Sequence, residues 1–367
     1  MSMTRSAGGH PLRPGDVVEV RSSEEILATL DESAALDGLP FMPELLRHAG
    51  RRYTVSRRVD KICDTIAATG SRRMRDTVYL ENLRCDGSAH GGCQAGCLIY
   101  WKEAWLKRVD VHAGASPGFD GGVPELEALA QAGTRTVRAE GAGEVWRCQA
   151  TDALEASEVL KTSNPGQYWR ELTNGNYGVL HFVRVMARAI VMEAWFRLGK
   201  LKPLPLTGTG EAPPAAEPLN LQPGELVEVK SKEEIAATLD ETGHLRRLSF
   251  DREMLPYCGK TFRVKDRARH IVDDKTGRML KIPECLILEG TGCSGECSTG
   301  RWFCPRQIYP YWREEWVRRI DTPIDRLERS ALAQAEGPRE HEQRAEGGGA
   351  SDGAVVVREV QPGAVAE

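Results

Sequence analysis

Residues 14–32, PGDVVEVRSSEEILATLDE, return at 223–241 as PGELVEVKSKEEIAATLDE, displaced by 209 positions. The two stretches differ only at Asp16/Glu225, Val17/Leu226, Arg21/Lys230, Ser23/Lys232 and Leu27/Ala236. The same displacement pairs Phe41 with Phe250, Glu44 with Glu253, Gly50 with Gly259 and Val55 with Val264. After a one-residue slip, YLENLRC (79–85) meets ILEGTGC (287–293), and the units close with IYWKEAWLKRV (99–109) and IYPYWREEWVRRI (308–320). Two chains of residues with one hydrophobic pattern bury it in one way, so the repeat demands two copies of a single folding unit.

Each copy reads alike. Pro-Gly opens a turn, VVEV or LVEV alternates as a short strand with one buried face, and further β-rich segments run into cysteines. Ser22 with Glu25, and Ser231 with Glu234, have the spacing of a helix capping box. The expected fold class is α+β: two tandem small β-barrel, SH3-like modules with short helices, linked by a helical segment. The corresponding divisions are module 1 at 11–112, a flexible linker at 113–144, a helical middle segment at 145–200, a Pro-rich linker at 201–218, module 2 at 219–322 and a disordered tail at 323–367. The most apolar run, 177–199, is interrupted by Arg184, Arg188 and Glu193. It reads as a buried helix and not as a membrane span. Trp101 with Trp105, and Trp312 with Trp316, are four apart, which on a helix places both indoles on one face, packed into the core.

The ten cysteines carry the chemistry. RCDGSAHGGCQAGC, residues 84–97, gathers Cys85, His90, Cys93 and Cys97 between glycines. The N-terminus lacks the apolar core of a signal peptide, which suggests a cytoplasmic protein, so thiolates and metal sites are expected before disulfides. Thiolates spaced by a few residues and loosened by glycine can fold around one ion. In module 1 the expected ligands are Cys63, Cys85, Cys93 and Cys97, with His90 in reserve. In module 2 they are Cys258, Cys293, Cys297 and Cys304. Cys285 sits in the apolar alternation ECLILE and reads as a core thiol, while Cys148 beside Trp146 reads as core or as a residue completing a site across domains. Zinc is the expected metal and an iron–sulfur cluster the alternative.

Other chemistries find little footing. No GxxxxGK(S/T) loop, GxSxG elbow or HExxH helix is present. Module 1 has arginine clusters, but residues 11–112 hold as many Lys and Arg as Asp and Glu, and the chain's net charge is −4, so nucleic acid is not an expected partner. His181, Arg184 and Arg188 share one helix face, which reads as solvated rather than as an anion site.

KICDT, RCDGSAHGGCQAGC with YWKEAWLK, RCQAT followed by YWRELTNGN, YCGKTFRV, DDKTGRML and FCPRQIYPYWREEW resemble a family of uncharacterised bacterial proteins. The resemblance spans about residues 12–320 and implies tandem Cys-containing SH3-like modules around a helical middle. In that family a cysteine generally stands where this chain has Ala49, so Cys63, Cys85, Cys93 and Cys97 are the module 1 residues that match. It also implies a place in bacterial biosynthesis. The resulting expectation is a metal-binding accessory or binding component of a biosynthetic pathway, with a protein or peptide partner and no membrane association. The alternative is a metalloenzyme or iron–sulfur redox protein with its site in module 1.

Overall fold

The computed structural model describes residues 10–67, 69–110, 118–119, 121–136, 144–161, 164–202, 204–208 and 217–320. The segment expected to be a disordered tail lies outside the described residues, as do parts of both expected linkers.

The repeat becomes two five-stranded antiparallel sheets of identical order. In the first, the order is Leu98–Lys102, Thr77–Arg84, Arg52–Arg58, Val17–Val20, Leu106–Arg108. In the second it is Trp312–Arg313, Met279–Leu288, Thr261–Val272, Leu226–Val229, Val317–Arg319. Even the register repeats: Val18 faces Tyr53 and Arg108, while Val227 faces Phe262 and Arg319. Both capping boxes form, with Ser22 accepting from the Glu25 amide and Ser231 from that of Glu234. The architecture is thus mixed α+β, built from antiparallel sheets and short helices.

The two cores are copies as well. Phe41 meets Trp105 edge-on at 5.2 Å, and Phe250 meets Trp316 at 5.4 Å. Each indole needs a partner for its buried N–H. Trp105 donates to Thr29 Oγ1 at 3.1 Å, and Trp316 to Thr238 Oγ1 at 3.0 Å. All four tryptophans of the two pairs are fully buried, as expected, but not on a helix. Trp101 lies in the strand Leu98–Lys102 and Trp105 in the 3-10 helix Glu103–Trp105 that follows, so their spacing reflects a strand-to-turn corner.

The copies differ in one hairpin, and this difference positions the site. In the second copy Thr261–Val272 and Met279–Leu288 make one long ribbon with its turn at 273–278. In the first copy the equivalent ribbon is broken, and its outer part, Ile62–Cys63 with Ser71–Met74, takes Ser157–Leu160 as a third strand. Each hairpin tip then crosses to the other copy. Val272 N–H donates to Cys93 Sγ at 3.3 Å, and at the equivalent position Cys63 N–H donates to Cys304 Sγ at 3.1 Å. Thr65 Oγ1 donates to Asp274 Oδ2 at 2.7 Å, and these two positions are themselves equivalent in the repeat. The copies therefore relate like a two-fold dimer written in one chain, with residues 10–320 lying in one compact unit.

The middle of the chain corrects two expectations. The stretch read as a flexible linker contains a helix, Pro124–Gly133, which buries Leu126 and Ala130. The apolar run forms a helix over Val179–Arg197, but only Val185 and Ala189 of it are buried. It rests one narrow face on Trp302 and Phe303, and Glu193 accepts from Trp302 Nε1 at 2.8 Å and from the Gly300 amide at 2.6 Å. Its far side stays exposed, with Leu180 at 89% and Ile190 at 65%. The run is simply wider than the face it docks. Rather than an isolated polar face, His181 and Arg184 meet the Glu296 carboxylate at 3.0 and 3.6 Å. No helix among the described residues is long and apolar enough to cross a membrane.

Candidate metal centre

The site forms where the first copy's strand Thr77–Arg84 ends and the glycine-rich loop begins. The Cys85 amide donates to the Cys97 carbonyl at 2.8 Å and closes the base of the loop. Gly87 turns it at φ +71°, and a Cβ there would stand 2.0 Å from the Cys93 carbonyl oxygen, so only glycine lets the loop fold back on itself. Gly295 repeats this device, with a Cβ 2.6 Å from the Cys304 amide nitrogen. The loop thus brings Cys85, His90, Cys93 and Cys97 around one cavity of about 40 Å³. Cys148 lines it too, from the middle segment, and Val272, Asp274 and Arg306 close it from the second copy.

Glu44 enters from the 3-10 helix Pro43–His48 beneath the loop. Its carboxylate, the Cys85 thiol and the His90 imidazole are the group, among the described residues, whose donor atoms all lie within 4.8 Å of one another and could hold a metal ion. Cys85 Sγ stands 3.6 Å from His90 Nε2 and 3.5 Å from Glu44 Oε1. Tetrahedral zinc, with bonds of roughly 2.3 Å to sulfur and 2.0–2.1 Å to nitrogen or oxygen, sets such donors about 3.5–3.6 Å apart. His90 Nδ1 approaches Glu44 Oε1 to 3.1 Å, while the other carboxylate oxygen, Glu44 Oε2, is buried without a hydrogen-bond partner. Buried polar atoms left unpaired mark a place where something else binds.

The second copy supplies an internal control. Glu253, at the position of Glu44, accepts from the amides of Ser294 at 3.0 Å and Cys297 at 2.8 Å, and from the hydroxyls of Ser294 and Ser298 at 2.7 and 3.1 Å. It is a loop staple with all its bonding satisfied. Glu44 faces a thiol and an imidazole instead, so one carboxylate position serves two chemistries.

The surroundings shift the donors in different directions. Burial opposes the charged form of His90, but Cys85, Cys93 and Glu44 outweigh it and raise its pKa well above the ordinary histidine value. Burial likewise works against the Cys93 thiolate, yet the bonds from His90 and from the Val272 amide bring its pKa down. Cys85 is raised by burial, opposed by His90, and burial pushes Cys148 up to about 11. Glu44 also borders an open depression with Arg47, Ser88, Gly91 and Trp146, which places the group one side chain from solvent.

The expected ligand sets are only partly gathered. Cys85, His90, Cys93 and Cys97 share the cavity, but Cys63 does not join them. Its hairpin has crossed over, and it sits against Cys304 with Arg306 beside it. In module 2, Cys293 lies near Cys63 and Cys304, and Cys297 follows in the same loop, whereas Cys258 packs against the second core beside Lys232 and Glu233. The Cys97 position is held in the second copy by Ile308, whose carbonyl accepts from the Cys293 amide at 2.8 Å. Cys285 is buried in an apolar cluster. All ten thiols are unpaired. Glu44 was absent from the expected sets. Its identity with Glu253 across the repeat was the available signal, and it pointed equally to a structural role.

No family model, curated protein or solved structure matches the chain.

Proposed function

We propose that the chain is a zinc-binding protein of two SH3-like modules, with its metal centre in the first copy, acting as an accessory or binding component that presents this centre to a protein or peptide partner. Glu44, Cys85 and His90 supply three donors, and Cys93, whose thiol lies against His90, the fourth. The observation that carries the reading is the spacing of the Cys85 sulfur from its two neighbours, which equals the edge of a zinc tetrahedron, beside a buried carboxylate oxygen of Glu44 that stays unpartnered. The amide of Val272 on Cys93 is the outer hydrogen bond that a thiolate ligand needs for orientation. Zinc here would join the glycine-rich loop to the 3-10 helix below it and add its binding free energy to that of the fold.

A second reading has one observation of its own. Four thiols, those of Cys85, Cys93, Cys97 and Cys148, line the cavity, and four thiolates are the ligand count of an iron–sulfur cluster.

Elemental analysis and an absorption spectrum of anaerobically purified chain separate the two. Zinc at one equivalent, without visible absorbance, is expected, and it falls to background in Cys85→Ser and His90→Ala while Cys258→Ser keeps it. Iron with visible absorbance, lost in Cys148→Ser, would establish the cluster. Metal retained by both Cys85→Ser and His90→Ala would rule out this centre.

A further inference from the structure

Two thiols outside this centre meet across the boundary between the copies. Cys63 comes from the first copy's hairpin and Cys304 from the second copy's loop, 241 positions away in sequence. The Cys63 amide donates to Cys304 Sγ at 3.1 Å, which sets the two thiols side by side. Both residues are buried, at 5% and 2% exposure. Arg306 Nη1 stands 3.9 Å from Cys63 Sγ and is held there by the Cys63 carbonyl at 3.1 Å and Thr65 Oγ1 at 3.0 Å. Cys293 is the next thiol, yet these three donors are not gathered within 4.8 Å as the first-copy group is. The pair is therefore two sulfurs under a fixed guanidinium, an arrangement suited to making one of them a nucleophile and less suited to caging an ion.

The geometry points to Cys63 and Cys304 as a redox-active dithiol that a small hydroperoxide converts into a disulfide joining the two copies. Cys63 is the attacking sulfur, since the Arg306 guanidinium faces it at 3.9 Å. Its thiolate takes the terminal oxygen of the hydroperoxide; the S–O bond forms as the O–O bond breaks, and the alkoxide or hydroxide that leaves picks up a proton. Cys304 then attacks the sulfenic sulfur. The S–S bond forms, the S–O bond breaks, and the departing hydroxide leaves as water with the Cys304 proton. Two thiols lose two electrons, and the hydroperoxide is reduced to an alcohol, or to water from hydrogen peroxide, plus one further water. Burial of both sulfurs favours small oxidants over protein disulfides, which need contact with the attacked sulfur. The inference stands independently of the metal reading.

The test treats the intact chain, as purified, with hydrogen peroxide, alkylates the remaining thiols and maps the peptides. The expected product is a peptide pair joining Cys63 to Cys304 that a dithiol reductant separates, together with a rise in the thermal midpoint of the oxidised chain. In Cys63→Ser, Cys304 should stay reduced under the same treatment, and the wild-type map decides the matter should that variant fold poorly. Three results would overturn the assignment: Cys63 over-oxidised with Cys304 untouched, Cys304 joined to Cys293 or Cys297, or a bound metal that protects both thiols and leaves when Cys63 is replaced.

Discussion

Residues 10–200 and 217–320, expressed separately, are each expected to fail to fold stably, and the first to lose the metal held by the intact chain. The repeat invites the opposite view, since two equal copies suggest two independent modules with a site each. The hairpin exchange argues against it. The first copy's cavity is closed by Val272, Asp274 and Arg306 of the second. The Gln94 amide donates to the His270 carbonyl at 2.9 Å, and its side chain bonds the Arg267 carbonyl and the Arg269 amide at 2.9 and 2.7 Å. The Trp146 amide donates to the Gly277 carbonyl at 2.8 Å. Each of these bonds is worth about 0.5–1.5 kcal/mol net once water replaces the partner, and a domain has only about 5–15 kcal/mol in all, so losing them together with the apolar cover of Cys93 and Trp146 removes a large part of it. Chemical denaturation and zinc titration of each half test this, and co-expression of the halves should restore both folding and metal. Independent two-state unfolding of both halves, each with a metal, would show that the exchange is incidental.

Replacing Arg306 by Ala is expected to destabilise the chain by about 3 kcal/mol, the largest effect of any single charge substitution considered among the described residues. The Arg306 side chain is 5% exposed, and its guanidinium links the Cys63 carbonyl, Thr65 Oγ1 and, at 3.6 Å, Asp274. Removing it leaves a carbonyl, a hydroxyl and a carboxylate at the contact between copies without their shared donor. Arg75 with Glu158 offers the contrast: that pair is 54% and 63% exposed and screened by solvent, and Arg75→Ala should leave the urea midpoint almost unchanged. Arg306→Lys should recover only part of the loss, because one ammonium cannot serve three acceptors arranged around a planar fork. Midpoints and slopes in urea measure all three.

The fold was legible wherever a residue's role depends on its neighbours along the chain. Alternation at VVEV and LVEV produced strands, and Ser22 with Glu25 produced a cap, because those signals are local. The buried tryptophans followed from hydrophobicity, although the helix assumed for them did not form. What stayed hidden depends on contacts far apart in sequence. Nothing in the alignment of the copies says that a hairpin packs on the other copy and not on its own, so Cys63 was grouped with the wrong loop. The docked face of Val179–Arg197 could not be told from its exposed one, because both are apolar. Glu44 and Glu253 are one residue in the repeat, and only the atoms around them, loop amides in one case and a thiol with an imidazole in the other, separate a staple from a candidate ligand.

The most direct test of the metal centre is anomalous scattering from crystals of the intact chain, measured on both sides of the zinc edge. A single peak bounded by Glu44, Cys85, His90 and Cys93 is the predicted result. A peak among Cys63, Cys293 and Cys304 instead, or none within the first-copy cavity, would contradict it.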